Sequence, residues 1–190
     1  MKERLKNLLE STNLLSNAEI SKGLDYFEFK TFRKGEILIG AGKVCNWMAF
    51  VNQGVLRNFY ISSKGEEVTY CLTFPLKVVS AFSSFMTQNA TFENIHALTD
   101  GDLLVINRTQ YYELMDSNEN WLKFSRLVAE QSYIAMENRL LALQIESAKK
   151  RYMDLISSDP EIIQEVPLKY LSSYLGITPR HLSRLRKEVS

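Results

Sequence analysis

Arg180 and Arg184 stand four residues apart in the run PRHLSRLRKE, and Lys187 follows three further on. At 3.6 residues per helical turn these three share one face, while Leu182 and Leu185 share another. A guanidinium is a rigid fork of donors that can bond guanine O6 and N7 together, whereas an ammonium acts as a point charge. A short helix carrying both kinds of cation therefore suits the major groove of double-stranded DNA. The expected contact set is Thr178, Pro179, Arg180, His181, Ser183, Arg184 and Lys187. Within it the arginines are matched to base edges, and Lys187, with Arg186, to phosphates. A solvated basic helix is the plainer reading, and the alternative function is a non-enzymatic adaptor whose terminal helices bind protein. DNA binding should weaken steeply with salt, whereas an apolar protein contact should not.

The surrounding stretch, VPLKYLSSYLGITPRHLSRLRKE, holds the elements that must position those residues. Pro167 suits a first helical turn, and Leu171, Tyr174 and Leu175 recur at helical spacing. Gly176 falls where a helix ends in positive φ, Thr178 is a good N-cap, and Pro179 opens the next helix. Ser172 supplies the small side chain that a close helix crossing needs. The pattern predicts a helix–turn–helix. Residues 166–190 hold five cations against Glu188, while the whole chain is only +1, which leaves −3 on the rest. That asymmetry points to an anionic partner for one end of the molecule.

Upstream the texture changes twice. Residues 4–21 read as helix, with Asn13 or Ser16 ending or restarting a turn. From about 26 to 108, short apolar runs alternate with glycine turns: FEFKTF, EILI, NWMAFV, VLRNFYI, EVTYCLTF, KVVSAFSSF, TFENIHAL and DLLVI. Such a pattern predicts an antiparallel roll or barrel. In VLRNFYI both strand faces carry large groups, which fits a two-sheet roll. Thr109 to Asp116 reads as a short helix, and Trp121 to Ser157 as one long run that ends at SSDP. Leu127, Ile134 and Leu141 recur every seven residues and are the expected homodimer seam. The fold class is thus α+β. The expected division is a β-roll sensor with its N-terminal helix over 1–116, a central dimerisation helix over 117–147, and the helix–turn–helix domain over 148–190.

Several chemistries lack their residues. Cys45 and Cys71 are 26 residues apart with no CxxC, so neither a disulfide framework nor an iron–sulfur site is expected. His96 and His181 are the only histidines, too few for a metal enzyme of the cupin type. There is no P-loop and no Ser–His–Asp set. No metal, cofactor or enzyme activity is expected. The N-terminal MKERLKNLLE is not followed by an apolar signal, and no run approaches a membrane span, so a cytoplasmic setting without membrane contact is expected.

Residues 32–61, FRKGEILIGAGKVCNWMAFVNQGVLRNFYI, and residues 174–187, YLGITPRHLSRLRK, resemble the cyclic-AMP receptor and fumarate–nitrate regulator (Crp/Fnr) family of bacterial transcription factors, particularly its Bacteroidetes branch. The likeness spans roughly 20–188. It implies a cyclic-nucleotide-binding-like β-roll and a homodimer through the central helix. It also implies recognition helices in successive major grooves of a near-palindromic site, and admits RNA polymerase as a further partner. By that resemblance Pro179, Arg180 and Arg184 occupy base-reading positions. The family's phosphate cassette is a short helix with a Gly–Glu pair near its start and Arg–Ser or Arg–Thr near its end. Its counterpart here is SAFSSFMTQNATFEN, residues 80–94. Ser80 and Ala81 replace the first pair, and Thr91 and Phe92 the second. These four mark the expected effector pocket, with the effector itself unnamed. With no cation between Lys77 and Arg108, neither cyclic AMP nor cyclic GMP is expected to bind. The family's wing after the recognition helix is expected to be lacking.

Overall fold

The structure, a computed structural model, describes residues 1–158, 160 and 162–189. Asp159, Glu161 and Ser190, which fall within the expected SSDP boundary and C-terminal domain, lie outside the described residues.

Two helices open the chain, α1 (Glu3–Ser11) and α2 (Asn17–Leu24). They are separated at Asn13, whose φ is 54°, and restarted by Ser16. Ser16 and Glu19 form a reciprocal capping box in which each side chain accepts the other's backbone N–H. The apolar stripe Leu5, Leu9, Ile20 and Leu24 packs with Phe50, Leu104 and Trp121. A glycine is required at position 23, because a Cβ there would meet the Trp121 ring at 2.1 Å.

The roll follows as β1 (Glu28–Phe32), β2 (Ile37–Ile39), β3 (Trp47–Gln53), β4 (Leu56–Ile61), β5 (Glu67–Thr73), β6 (Val78–Val79), β7 (Glu93–Ala97) and β8 (Gly101–Asn107). One sheet runs β1-β8-β3-β6 and the other β2-β7-β4-β5, with every pairing antiparallel. Inward residues such as Phe32, Val51, Leu56, Ile95 and Val105 fill the space between them. The run KVVSAFSSF is not one strand: only Val78–Val79 pairs, and Phe82–Thr87 forms helix α3. Ser84 explains the switch. Its hydroxyl accepts from Cys45 N and donates to Asn89 O, tying the helix to the loops on either side.

Helix α4 (Arg108–Ser117) starts with an Asn107–Gln110 capping box. The expected continuous run from Trp121 to Ser157 is broken. Helix α5 (Glu119–Ile145) stops at Glu146, whose backbone is extended, and α6 (Ala148–Ser158) begins anew. Neither glycine nor proline causes the break. The Ser147 hydroxyl accepts from Lys150 N as an N-cap, and Arg151 bonds the terminal carbonyls of Ala142 and Glu146. Helices α7 (Ile162–Glu165), α8 (Leu168–Leu175) and α9 (Pro179–Val189) complete the chain. Tyr152, Val166, Leu171, Leu175, Leu182 and Leu185 form their common core. Among the described residues no helix is long and apolar enough to cross a membrane.

Candidate nucleic-acid interface and effector pocket

The turn between α8 and α9 is built as its residues dictate. Gly176 takes φ 69°, and a Cβ there would also stand 3.2 Å from Leu143 of α5. Ile177 N donates to Ser172 O at 3.0 Å. Thr178 Oγ1 accepts from His181 N at 3.2 Å, which is the N-cap geometry. Ser172 is buried at the helix crossing, and Leu182 and Leu185 are buried beneath α9. This leaves Thr178, Pro179, Arg180, Arg184 and Lys187 exposed, with His181 and Ser183 half-buried beside them. Arg186 differs from the expectation of a phosphate contact: it is half-buried, with Nε and Nη2 shielded from solvent. It lies four residues after buried Leu182, and so on the packed face.

At the mouth of the roll is an open pocket of about 210 Å³, lined by Ser83, Ser84, Thr87, Asn89, Ala90, Thr91, Phe92 and Glu93. Of the four residues expected there, Thr91 and Phe92 line it. Ala81 is sealed in the sheet core, and Ser80 sits behind, its hydroxyl donating to Trp47 O at 2.9 Å. Glu93 projects inward from β7 and is 6% exposed. It accepts from Asn58 Nδ2 at 2.7 Å and from the Tyr70 hydroxyl. Burial, together with the Glu93 carboxylate, pushes the Tyr70 phenol above its ordinary value, so it remains a donor.

Comparison with known proteins places this geometry. The sequence matches the cyclic nucleotide-binding domain family over residues 29–118. FixK2 from Bradyrhizobium japonicum superposes with a TM-score of 0.74 at 14% identity, covering 86% of this chain and 84% of that one. A protein from Eubacterium rectale described as a transcriptional regulator of the Crp/Fnr family gives 0.69 at 18% identity, over 93% and 84%. The c-di-GMP-responsive global regulator CLP of Xanthomonas campestris gives 0.69 at 11% identity, over 92% and 91%. The fold is that of the Crp/Fnr regulators. No curated protein sequence matches the chain significantly.

Within this Crp/Fnr fold the helix–turn–helix unit rests directly on the outer face of the roll. Arg57 on β4 is 1% exposed. Its guanidinium lies between the rings of Phe59 at 4.0 Å and Tyr170 of α8 at 3.5 Å. It donates to His96 Nδ1 at 2.9 Å, Thr69 Oγ1 at 3.2 Å and Glu67 Oε2 at 2.6 Å. Every face of a buried cation is thus satisfied. Burial raises the Glu67 carboxyl, but the hydrogen bond and charge of Arg57 bring it below its ordinary value. Burial and the same guanidinium lower His96. Alongside, Ser173 Oγ accepts from Thr69 N at 3.0 Å. Arg139 of α5 donates to Tyr70 O at 2.9 Å and Tyr174 O at 2.6 Å, joining both units to the central helix.

Sequence reasoning missed Arg57, Arg139, Asn58 and Glu93. The available signal was a cation and an amide in the middle of the apolar strand VLRNFYI, where each needs a buried partner. The seam residues fall on a stretch of α5 with little packed against it. Ile134 is 53% exposed, Leu141 is exposed and Leu127 is half-buried, with Tyr133, Met136, Leu140 and Ile145 exposed around them.

Proposed function

We propose that the protein is a DNA-binding transcriptional regulator that acts as a homodimer. Each protomer reads one half of a near-palindromic site with the helix Pro179–Lys187, under control of a small effector held in the roll. The observation that carries this reading is the presentation of Arg180, Arg184 and Lys187. All three are exposed on one face of α9, behind a capped N-terminus and above buried Leu182 and Leu185. The Crp/Fnr fold supports the same assignment. The functional division is a sensor over 1–116, a dimerisation helix over 117–147 and a DNA-binding domain over 148–190. The exposed apolar residues of α5 support pairing through Leu127, Ile134 and Leu141, an arrangement that aligns two copies of α9 for half-sites about 34 Å apart. Cyclic AMP and cyclic GMP do not fit the effector role. Glu93 stands in the pocket with no cation between Lys77 and Arg108 to hold a cyclic phosphate.

Selection from a random duplex library with the full chain tests the assignment. An enriched, two-fold-symmetric motif bound with a steep salt dependence is expected. No enrichment at modest salt, with or without cell extract to supply an effector, would remove the reading in favour of a protein-binding adaptor.

A further inference from the structure

Glu93 is a carboxylate that is nine-tenths buried, and it has no ion-pair partner among the described residues. Its hydrogen bonds come from two neutral donors, Asn58 and Tyr70. A buried charge left without an opposite charge is costly, and proteins normally pair it. Glu93 is also not enclosed by apolar residues: it forms part of the wall of the open pocket at the mouth of the roll. The remaining wall is rich in oxygen acceptors, from Ser83, Thr87, Asn89 and Thr91, with Phe92 at 74% exposure presenting an aromatic face. Behind the carboxylate, Asn58 Oδ1 is buried and has no hydrogen-bond partner among the described residues, a second acceptor in excess. The cluster therefore holds a carboxylate without a counter-charge beside a buried acceptor without a donor, and no Lys or Arg lines the wall.

We propose that the mouth of the β-roll binds a small organic cation, a ligand carrying a protonated amine, whose ammonium group pairs with Glu93. An ammonium brings three donors and a positive charge, which complements a carboxylate ringed by hydroxyl and amide oxygens. The Phe92 ring offers the adjoining alkyl chain an apolar face and the charge a favourable quadrupole. A pocket of about 210 Å³ limits the ligand to a few heavy atoms. A divalent metal fits poorly, since calcium takes six to eight oxygen ligands and often several carboxylates. No group of three His, Cys, Asp or Glu able to hold a metal occurs among the described residues. An anion would meet the Glu93 charge directly. The assignment deepens the effector part of the proposed function and depends on that reading only for its link to DNA.

Thermal melting and calorimetric titration of the full chain test it, with methylammonium, ethanolamine and 1,4-diaminobutane chlorides as probes. Butane-1,4-diol is the uncharged control and sodium chloride the ionic one. At about a hundredfold excess over Kd at least one amine should raise the melting temperature by about 5–10 °C. The diol and the salt should not. Glu93→Gln should abolish the response. Ser83→Trp, at an exposed position of α3, should also abolish it by filling the mouth, and it carries the test if Glu93→Gln fails to fold. Absence of any amine-specific shift in the wild type, or a shift of equal size in either folded variant, overturns the proposal. An enriched DNA motif without amine binding would overturn the ligand and leave the regulator. Amine binding without an enriched motif would do the reverse.

Discussion

Arg184 and Lys187 lie about one turn apart on the same exposed face of α9, and in the proposed DNA complex their chemistry would divide the work of recognition. The arginine fork can discriminate a base at about 1–3 kcal/mol per pair, while the lysine charge attracts phosphate regardless of sequence. Arg184→Ala should therefore flatten the preference among duplexes in competition binding. Lys187→Ala should weaken all duplexes alike and reduce the slope of log K against log salt by about 1 per half-site. An unchanged preference after Arg184→Ala would remove that residue from base reading. Most of this candidate site was legible in the sequence, because Gly176, Thr178 and Pro179 each impose a local geometry that needs no distant partner. Arg186 was not legible. Its spacing from Leu182 places it on the packed face, but charge alone suggested solvent or phosphate.

Helices and strands differ in how far local rules reach. The strands of the roll were readable from glycine turns and apolar runs, and the helix α1–α2 break from Asn13 and Ser16. The interruption of α5 was not, because it is made by Ser147 and by Arg151 folding back on carbonyls of the preceding helix. Glu19 is another tertiary device. It caps α2 and accepts from Asn118 and Asn120 at the start of α5, at 2.8 and 3.0 Å. Those bonds, from Asn118 first and then Ser16, lower its carboxyl from 4.5 to about 2. A depressed carboxyl contributes stability above its unfolded value, and that contribution is lost as pH falls from about 4.5 towards 2. Glu19→Gln should remove this part of the acid dependence, and melts across that interval with both proteins should converge towards the acid end. Further along, α5 carries exposed Ile134 and Leu141. Ile134→Glu should convert a dimer to a monomer in sedimentation at about 10 μM, where an ordinary dimer with a submicromolar Kd stays associated. A wild-type protein already monomeric at that concentration would refute the seam.

Across the whole molecule, strand β4 connects the two regions that matter. Leu56, Asn58 and Tyr60 pair with Ala97, Ile95 and Glu93 on the inner face, while Arg57 pairs with His96 on the outer face. Asn58 thus touches the pocket carboxylate, and its neighbour Arg57 carries Tyr170 of the helix–turn–helix unit. The sequence showed that both faces of this strand hold large groups. It did not show that the outer cover is the helix–turn–helix itself, because periodicity reports burial without naming the cover. This arrangement predicts that the docking is sensitive to pH through His96. The groups around it are the Arg57 cation, the Glu67 carboxylate and the rings of Phe59 and Tyr170. Because His96 Nδ1 accepts from Arg57, the ring is neutral there, and a proton would replace an acceptor with a donor facing a guanidinium. Burial and then Arg57 lower its folded pKa from 6.5. The unfolded chain therefore binds the proton first as pH falls. His96 contributes its full stability above about 6.5 and loses it as pH falls through the lowered folded value. His96→Gln keeps a neutral acceptor for Arg57 and cannot titrate. The difference in melting temperature between wild type and His96→Gln should be constant above about pH 7 and shift against the wild type as pH falls towards about 5, the range in which histidine changes charge. His181 is common to both proteins and cancels. Amide exchange over α8 should accelerate in the same interval in the wild type alone. A difference that does not vary with pH would show that the Arg57–His96 bond does not hold the helix–turn–helix unit to the roll.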